Sequence, residues 1–531
     1  MKRRDFLRTA GALPAAHLVA TSVAGAIAFQ HERASAEDRA RAADFDPVER
    51  DIASLQDSLG KGLTSAALVA AYLGRIARLD QSGPKFRSVI AVNPSALDDA
   101  RALDAERRSG NLRGPLHGVP ILIKDNIATL DRLPTTAGSL ALARSFHRVD
   151  APLVARLRKA GAIILGKTNL SEWANFRSTH SSSGWSAIGG QTGNAYDPAR
   201  NPSGSSSGSA TAAALSFCAA AIGTETDGSI LSPAAMAGLV GFKPSAGAVS
   251  IEGIVPISPR QDVAGPMTRS VADALLIGSV IYDRPRRKEA LATSVASKPD
   301  AIRVGVAPPA DSMRAEGKAL YLRAIDVWRR SGATVVDAPL PRAFREVGGT
   351  EFTALLYEFK AAIDANLSAL TPEQTTVRSL AELIEFNRRN ADRELARFGQ
   401  EIFEMAVVKG PLTDKAYIDA VNELNKRVDV EGLDNLFRSL RIDVLVAPGS
   451  GPAGLTDPVL GDRNDTGGSS LGSAAAIAGY PSLTLPIGLV RGLPTGMTVV
   501  APRYAEDRLL RIAARFEREG RLRVASKFAR G

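Results

Sequence analysis

Cysteine is almost missing from this 531-residue chain: Cys218 stands alone, so no internal disulfide can form and no cysteine-based metal cluster can be built. Histidine is scarce too, with His17, His31, His117, His147 and His180 and none beyond. One thiol and five imidazoles offer no ligand set, so neither a metal nor an organic cofactor is expected. Aromatic residues make up only 5% of the chain, and its net charge of +10 is spread rather than gathered, which speaks against a nucleic-acid partner. The N-terminal apolar stretch is interrupted by Pro14, His17, Thr21 and Ser22, so it makes a poor bilayer span, and stable membrane insertion is not expected.

What that N-terminus does carry is an address. Lys2, Arg3, Arg4 and Arg8 against Asp5 give +3 before residue 29, and Arg3, Arg4, Asp5, Phe6 and Leu7 match the basic region of a twin-arginine export signal. The apolar stretch behind them ends in Ala26, Ile27 and Ala28, an A-x-A cleavage pattern; cleavage after Ala36 is the other option. Residues 1–28 are therefore read as a signal, and an exported, periplasmic or extracellular protein is expected. No cysteine stands nearby, which excludes a lipoprotein. Residues 29–45 are polar and alanine-rich and read as a loose lead-in.

Periodic segments begin at Pro47. Val48, Ile52 and Leu55 recur at helical spacing, and Thr64 caps a helix running to Ile76. A strand over 86–92, a helix over 94–108, a short apolar run from Val119 ending on Lys124, a helix over 154–159 and an apolar run over 162–165 ending near Lys167 follow in turn. Short, fully apolar strands alternating with helices predict an α/β fold with a largely parallel sheet buried on both faces. Downstream, short strands are expected around 254–257, a strand–helix–strand unit over 302–336, helices over 350–404 and a strand over 442–447. Residues 483–500 and a helix over 506–518 read as sheet edge and cover. Tyr357 and Phe359 are equally suited to a cleft or to the core. No repeat and no interdomain linker is visible, so one large domain over 46–531 is expected, with a monomer favoured.

The stretch NPSGSSSGSATAAALSFCAAAIGTETDGSILSP, residues 201–233, stands out. A serine- and glycine-rich run is usually a linker, but this one leads into an apolar segment, 211–222, that reads as a buried helix flanked by two polar knots. Gly204 to Gly208 fits G-x-S-x-G with Ser206 as nucleophile. That elbow requires a later histidine and a preceding strand, and both are absent. Walker-type phosphate spacing is absent too. A lysine is the base left for hydroxyl chemistry, and by residue pattern Lys124 and Lys167 qualify alike.

GPLHGVPILIKDNI, GKTNLSEWANFRS, NPSGSSSGSA, GTETDGSILSPA, GFKPS, QDVAGPMTRSVADA and AGYPSLTLP occur in one order along the chain. Together they resemble the amidase signature family of serine hydrolases, in its peptide-amidase-like branch, from about Pro47 to Arg518. The resemblance implies an α/β fold with a mixed, mostly parallel central sheet covered by helices on both faces. It also implies a Ser–cis-Ser–Lys triad of Ser229, Ser205 and Lys124, with the backbone N–H groups of Thr226, Asp227, Gly228 and Ser229 as oxyanion hole. The implied reaction is hydrolysis of a carboxamide, such as the C-terminal amide of a peptide, through an acyl-enzyme. Two departures bear on this. Asp227 and Gly228 replace a Gly-Gly pair, and Leu231 stands where relatives that bind acidic substrates carry arginine, which favours an apolar or peptide-like acyl group. The alternatives are an aryl or aliphatic acylamidase with the same triad, an inactive binding protein, or a non-autonomous amidotransferase subunit.

Overall fold

The computed structural model describes residues 23–283, 301–309, 313–457, 459, 461–462 and 470–530. Residues 1–22 of the expected signal lie outside the described residues. One large sheet organises the rest. Its strands in chain order are β1 (Val89–Val92), β2 (Pro120–Lys124), β3 (Ile163–Thr168), β6 (Ala220–Glu225), β7 (Val240–Lys243), β8 (Val263–Thr268), β9 (Ile302–Val306), β10 (Ala333–Asp337), β11 (Val444–Pro448), β12 (Ser482–Val490) and β13 (Leu493–Val500). β4 (Trp185–Ser186) and β5 (Gly190–Gln191) form a separate two-stranded ribbon.

Across the sheet the order is β1-β3-β2-β6-β8-β7-β12-β13-β11-β9-β10. The mixed character is as expected, but the expectation of mostly parallel pairing is corrected. Parallel pairs are confined to β3–β2–β6 on one side and β11–β9–β10 on the other. Between them β8, β7, β12 and β13 run antiparallel, joined in part by the tight hairpin of β12 and β13. That hairpin sits mid-sheet, not at an edge; its two strands are buried along nearly their whole length, small hydroxyl residues included, as a place between covered neighbours requires. Both faces are indeed buried. Val444 and Val446 of β11 enter one core cluster, while the alternating Leu445 and Ala447 enter another.

Three further expectations are corrected. The alanine-rich segment is not one helix: Ser207–Ala214 is helical, the chain turns at Ser216 in a left-handed conformation, and Ala220–Glu225 continues as β6. Apolar small residues satisfy either periodicity, and the slot between β2 and β8 decides the matter. Residues 254–257 form no strand; Ile254 makes a single bridge to Ile127. The expected loose lead-in over 29–45 is structured: helix Val23–Arg33 runs from the end of the expected signal into it, and helix Ala36–Asp44, capped by Ser35, follows. Ile27 and Ala34 pack into the main core and Gln30 Nε2 donates to the Asn93 carbonyl at 2.8 Å, anchors too few to leave a periodic pattern. The helices over 348–407 build their own apolar cluster on Trp173 and Phe176, in which Phe359 stacks on Phe403; Phe359 is core. Among the described residues no helix is long and apolar enough to cross a membrane.

Candidate active site

β2 and β6 pair in parallel, Ile123 beside Ile222, so their carboxyl ends open at one edge of the sheet. Lys124 ends β2, and Thr224 and Glu225 end β6. The serine run 203–207 crosses this edge before the helix Ser207–Ala214, with a cis peptide between Gly204 and Ser205. Lys124 is wholly buried. Its Nζ lies 2.7 Å from Ser205 Oγ, 2.8 Å from Thr224 Oγ1 and 3.3 Å from the Thr224 carbonyl. Burial pulls its pKa down to about 7, against the opposing pull of the Asp262 and Glu225 carboxylates. Near neutrality the amine is thus available uncharged. Two of its N–H groups can then donate to the Thr224 oxygens, leaving the lone pair for the Ser205 hydroxyl.

Lys167, on the neighbouring strand, is committed elsewhere. Its Nζ donates to the Ile127 carbonyl at 2.5 Å and to Thr135 Oγ1 at 3.0 Å, and lies 4.0 Å from Asp125. The structure therefore separates the two lysines that the sequence pattern leaves equivalent. Ser206 is committed as well. Its Oγ donates to the Thr224 carbonyl at 3.0 Å and accepts from Thr224 N–H at 3.2 Å, while its own N–H donates to the Ser229 carbonyl at 3.2 Å. It ties the serine run to the loop of Ser229.

That loop, 226–229, joins β6 to the helix Leu231–Met236. Glu225 Oε2 accepts from Ile230 N–H at 2.7 Å and Leu231 N–H at 2.9 Å, and Ser232 N–H closes on the Gly228 carbonyl at 2.8 Å. Gly228 has φ +76°, a conformation L side chains rarely adopt. The N–H groups of Asp227, Gly228 and Ser229 have no partner among the described residues, and neither does Ser229 Oγ, whose residue keeps 9% exposure. A run of unpaired N–H groups beside a free hydroxyl is a receptor for developing negative charge. The Asp227 side chain turns to the Ser473 hydroxyl; burial and the Glu225 charge push its pKa up to about 6, against Ser473 and Lys243.

The geometry and the sequence agree with a wider likeness: residues 67–510 match the family of amidases. The chain belongs to the amidase family. It is 39% identical over 487 residues to a probable amidase of Arabidopsis thaliana, a match covering 88% of this chain and 89% of that protein. It is also similar to a glutamyl-tRNA(Gln) amidotransferase subunit of Salinispora arenicola, 34% identical over 491 residues, covering 88% of this chain and 96% of that protein. Native peptide amidase from Stenotrophomonas maltophilia superposes with a TM-score of 0.82 at 45% identity, over 90% of this chain and 99% of that one. This amidase is therefore an amide hydrolase with the fold of its family.

Sequence reasoning overlooked four groups around this site. Thr224 and Asn126 border Lys124, Asn126 Nδ2 donating to Thr224 Oγ1 at 3.0 Å. Asp262 accepts from Thr226 Oγ1 at 2.5 Å and from the N–H groups of Ile257 and Ser258 at 2.9 and 3.0 Å, and burial pushes its pKa up to about 6. Gln261 reaches the Thr226 carbonyl. The last two sit in the motif QDVAGPM, which marks the family without revealing what its side chains touch.

Proposed function

We propose that this amidase hydrolyses the C-terminal carboxamide of peptides, or a similar linear amide, with Ser229 as nucleophile, Ser205 as proton relay and Lys124 as base. The observation that carries this reading is the wholly buried Lys124 Nζ at 2.7 Å from Ser205 Oγ, in a site whose Ser229 loop offers unpaired N–H groups. Ser229 Oγ attacks the carbonyl carbon, and its proton passes to Ser205, whose own proton goes to the Lys124 amine. The oxyanion forms against the N–H groups of Asp227, Gly228 and Ser229, with Thr226 N–H as the further candidate donor; one such donor is worth about 3 kcal/mol in the transition state. Collapse breaks the C–N bond as Ser205 protonates the departing nitrogen and is reprotonated by Lys124, releasing ammonia. Water, deprotonated over the same relay, then hydrolyses the acyl-enzyme.

Two observations support a peptide-like acyl group. Leu231, two residues past Ser229, is buried and apolar, so that position holds no cation for an acidic substrate. The solved relative at 45% identity is a peptide amidase, whereas the amidotransferase relative stands at 34%. The paired arginines Arg3 and Arg4 support export; replacing both with lysine should leave the protein in the cytoplasmic fraction if they direct it.

The test is ammonia release from a C-terminally amidated dipeptide by the purified protein, with Ser229→Ala as blank. Release that falls by about 10⁴-fold or more in the variant supports both nucleophile and substrate class. Cleavage of an aryl amide in place of the dipeptide amide keeps the triad and moves the substrate to the acylamidase class. Activity that survives in the variant sinks the mechanism.

A further inference from the structure

Gln261 is buried to 1% exposure, follows Arg260 and precedes Asp262, and every polar atom of its side chain is committed. Its Oε1 accepts from Arg260 Nη2 at 2.7 Å; its Nε2 donates to Glu351 Oε1 at 2.8 Å and to the Thr226 carbonyl at 3.3 Å. These partners fix which way the amide faces. A flipped amide would set its oxygen against the Thr226 and Glu351 oxygens and its NH₂ against a guanidinium. The frame behind it is rigid. Arg260 Nε pairs with Glu358 Oε1 at 2.8 Å, the Ser258 hydroxyl donates to the same carboxylate, and Gln261 N–H returns to the Ser258 carbonyl at 3.0 Å.

The Thr226–Asp227 peptide is trans, so its carbonyl and the Asp227 N–H lie in one plane and point in opposite directions. Whatever holds the carbonyl therefore aims the N–H. Thr226 is held at a second point as well, its hydroxyl on Asp262 at 2.5 Å. We propose that Gln261 is a positioning residue of the amide hydrolysis: by gripping the Thr226 carbonyl it turns the Asp227 N–H toward the oxyanion formed on attack by Ser229. This rests on the reading of Ser229 as nucleophile and of its loop as oxyanion hole. Glu351 completes the clamp by taking the second proton of the Gln261 NH₂. Burial, with the Asp227 charge, pushes the Glu351 carboxyl up to about 8, so it can serve as a neutral acceptor in a site that already holds Asp227.

A donor aimed at the transition state has a signature that a merely structural role lacks. Gln261→Met keeps the volume and removes the donor. It should lower kcat about 10- to 100-fold while KM stays within about 3-fold. Affinity for a peptide aldehyde, which forms a tetrahedral adduct on Ser229, should fall by the same factor as kcat/KM. Binding of the amidated dipeptide, measured in a Ser229→Ala background, should be unchanged. Gln261→Glu, which keeps the size and the Arg260 pairing but presents oxygen to the Thr226 carbonyl, should show the same pattern. Because dipeptide binding reports the folded site directly, either variant serves if the other fails to fold. The inference is overturned if kcat stays within about 2-fold, or if aldehyde and dipeptide affinity fall together. Activity persisting in Ser229→Ala alone would overturn the underlying reading instead.

Discussion

A lysine serves as a base only after it has lost its proton, and Lys124, the proposed base, is placed where burial lets that happen near neutrality. Its surroundings are apolar strand on one side and hydroxyls on the other, and burial brings its pKa down to about 7. The kcat of amide hydrolysis should therefore rise with pH through an acid limb near 7 and be lost below it, as Lys124 takes up a proton; a pH–rate profile reads this directly. Asp262 supplies the largest opposing pull on that proton. Asp262→Asn should thus move the acid limb to lower pH, together with a fall in kcat from the loosened Thr226 hydroxyl; an unmoved limb would disconnect Asp262 from Lys124. The distinction between Lys124 and Lys167 shows what was hidden at this scale. Lys124 ends its apolar strand and Lys167 stands one residue from the end of its own, and only the pairing of β2 with β6 brings one of them to Ser205 while the loop at Ile127 and Thr135 ties up the other. The serine run itself stood out in the sequence, but the part of Ser206 as a tie between Thr224 and Ser229 depends on contacts across the fold.

Among elements, the helix Ser207–Ala214 is pressed hard against the loop after β3. Gly208 donates its N–H to the Asn169 carbonyl at 3.0 Å, and a Cβ there would lie 2.4 Å from both the Asn169 and the Ser88 carbonyl oxygens. Gly208→Ala should therefore lower stability by about 1–3 kcal/mol or more, read as a fall in Tm. Gly228 is the contrasting case: a Cβ meets nothing within 4 Å, but φ is +76°. Gly228→Ala should cost only about 1–2 kcal/mol of stability and act mainly on kcat, by turning the N–H groups of the Ser229 loop. The strands β2, β3, β9 and β11 were visible because short apolar runs between turns have few other solutions. The segment 211–222 was not, since alanine and small polar residues fit a buried helix and a buried strand alike, and a neighbour such as β8 is needed to choose.

For the whole molecule, the sheet brings carboxyl ends and loops that are far apart in sequence to one edge, where residues 124, 205, 224, 229 and 262 gather as the proposed site. The α/β class was legible from the alternation of elements. Strand order was not, because nothing in the run over 483–500 states that it lies mid-sheet between β7 and β11. The N-terminal helices also belong to this scale. Ile27 is buried in the main core, and Arg33 pairs with Asp98 on the helix Ala96–Arg108 at 2.9 Å. In protein that retains residue 27, Ile27→Ala should cost about 2 kcal/mol or more in denaturant unfolding; an N-terminal segment that does not dock on the core would show no change.

The most direct test of the account is to label the protein with a fluorophosphonate and map the modified peptide by mass spectrometry. A single adduct on Ser229 is expected, forming faster as pH rises through 7 and absent from Lys124→Ala under the same exposure. An adduct on Ser205 or Ser206, or labelling of Ser229 indifferent to Lys124, would contradict it.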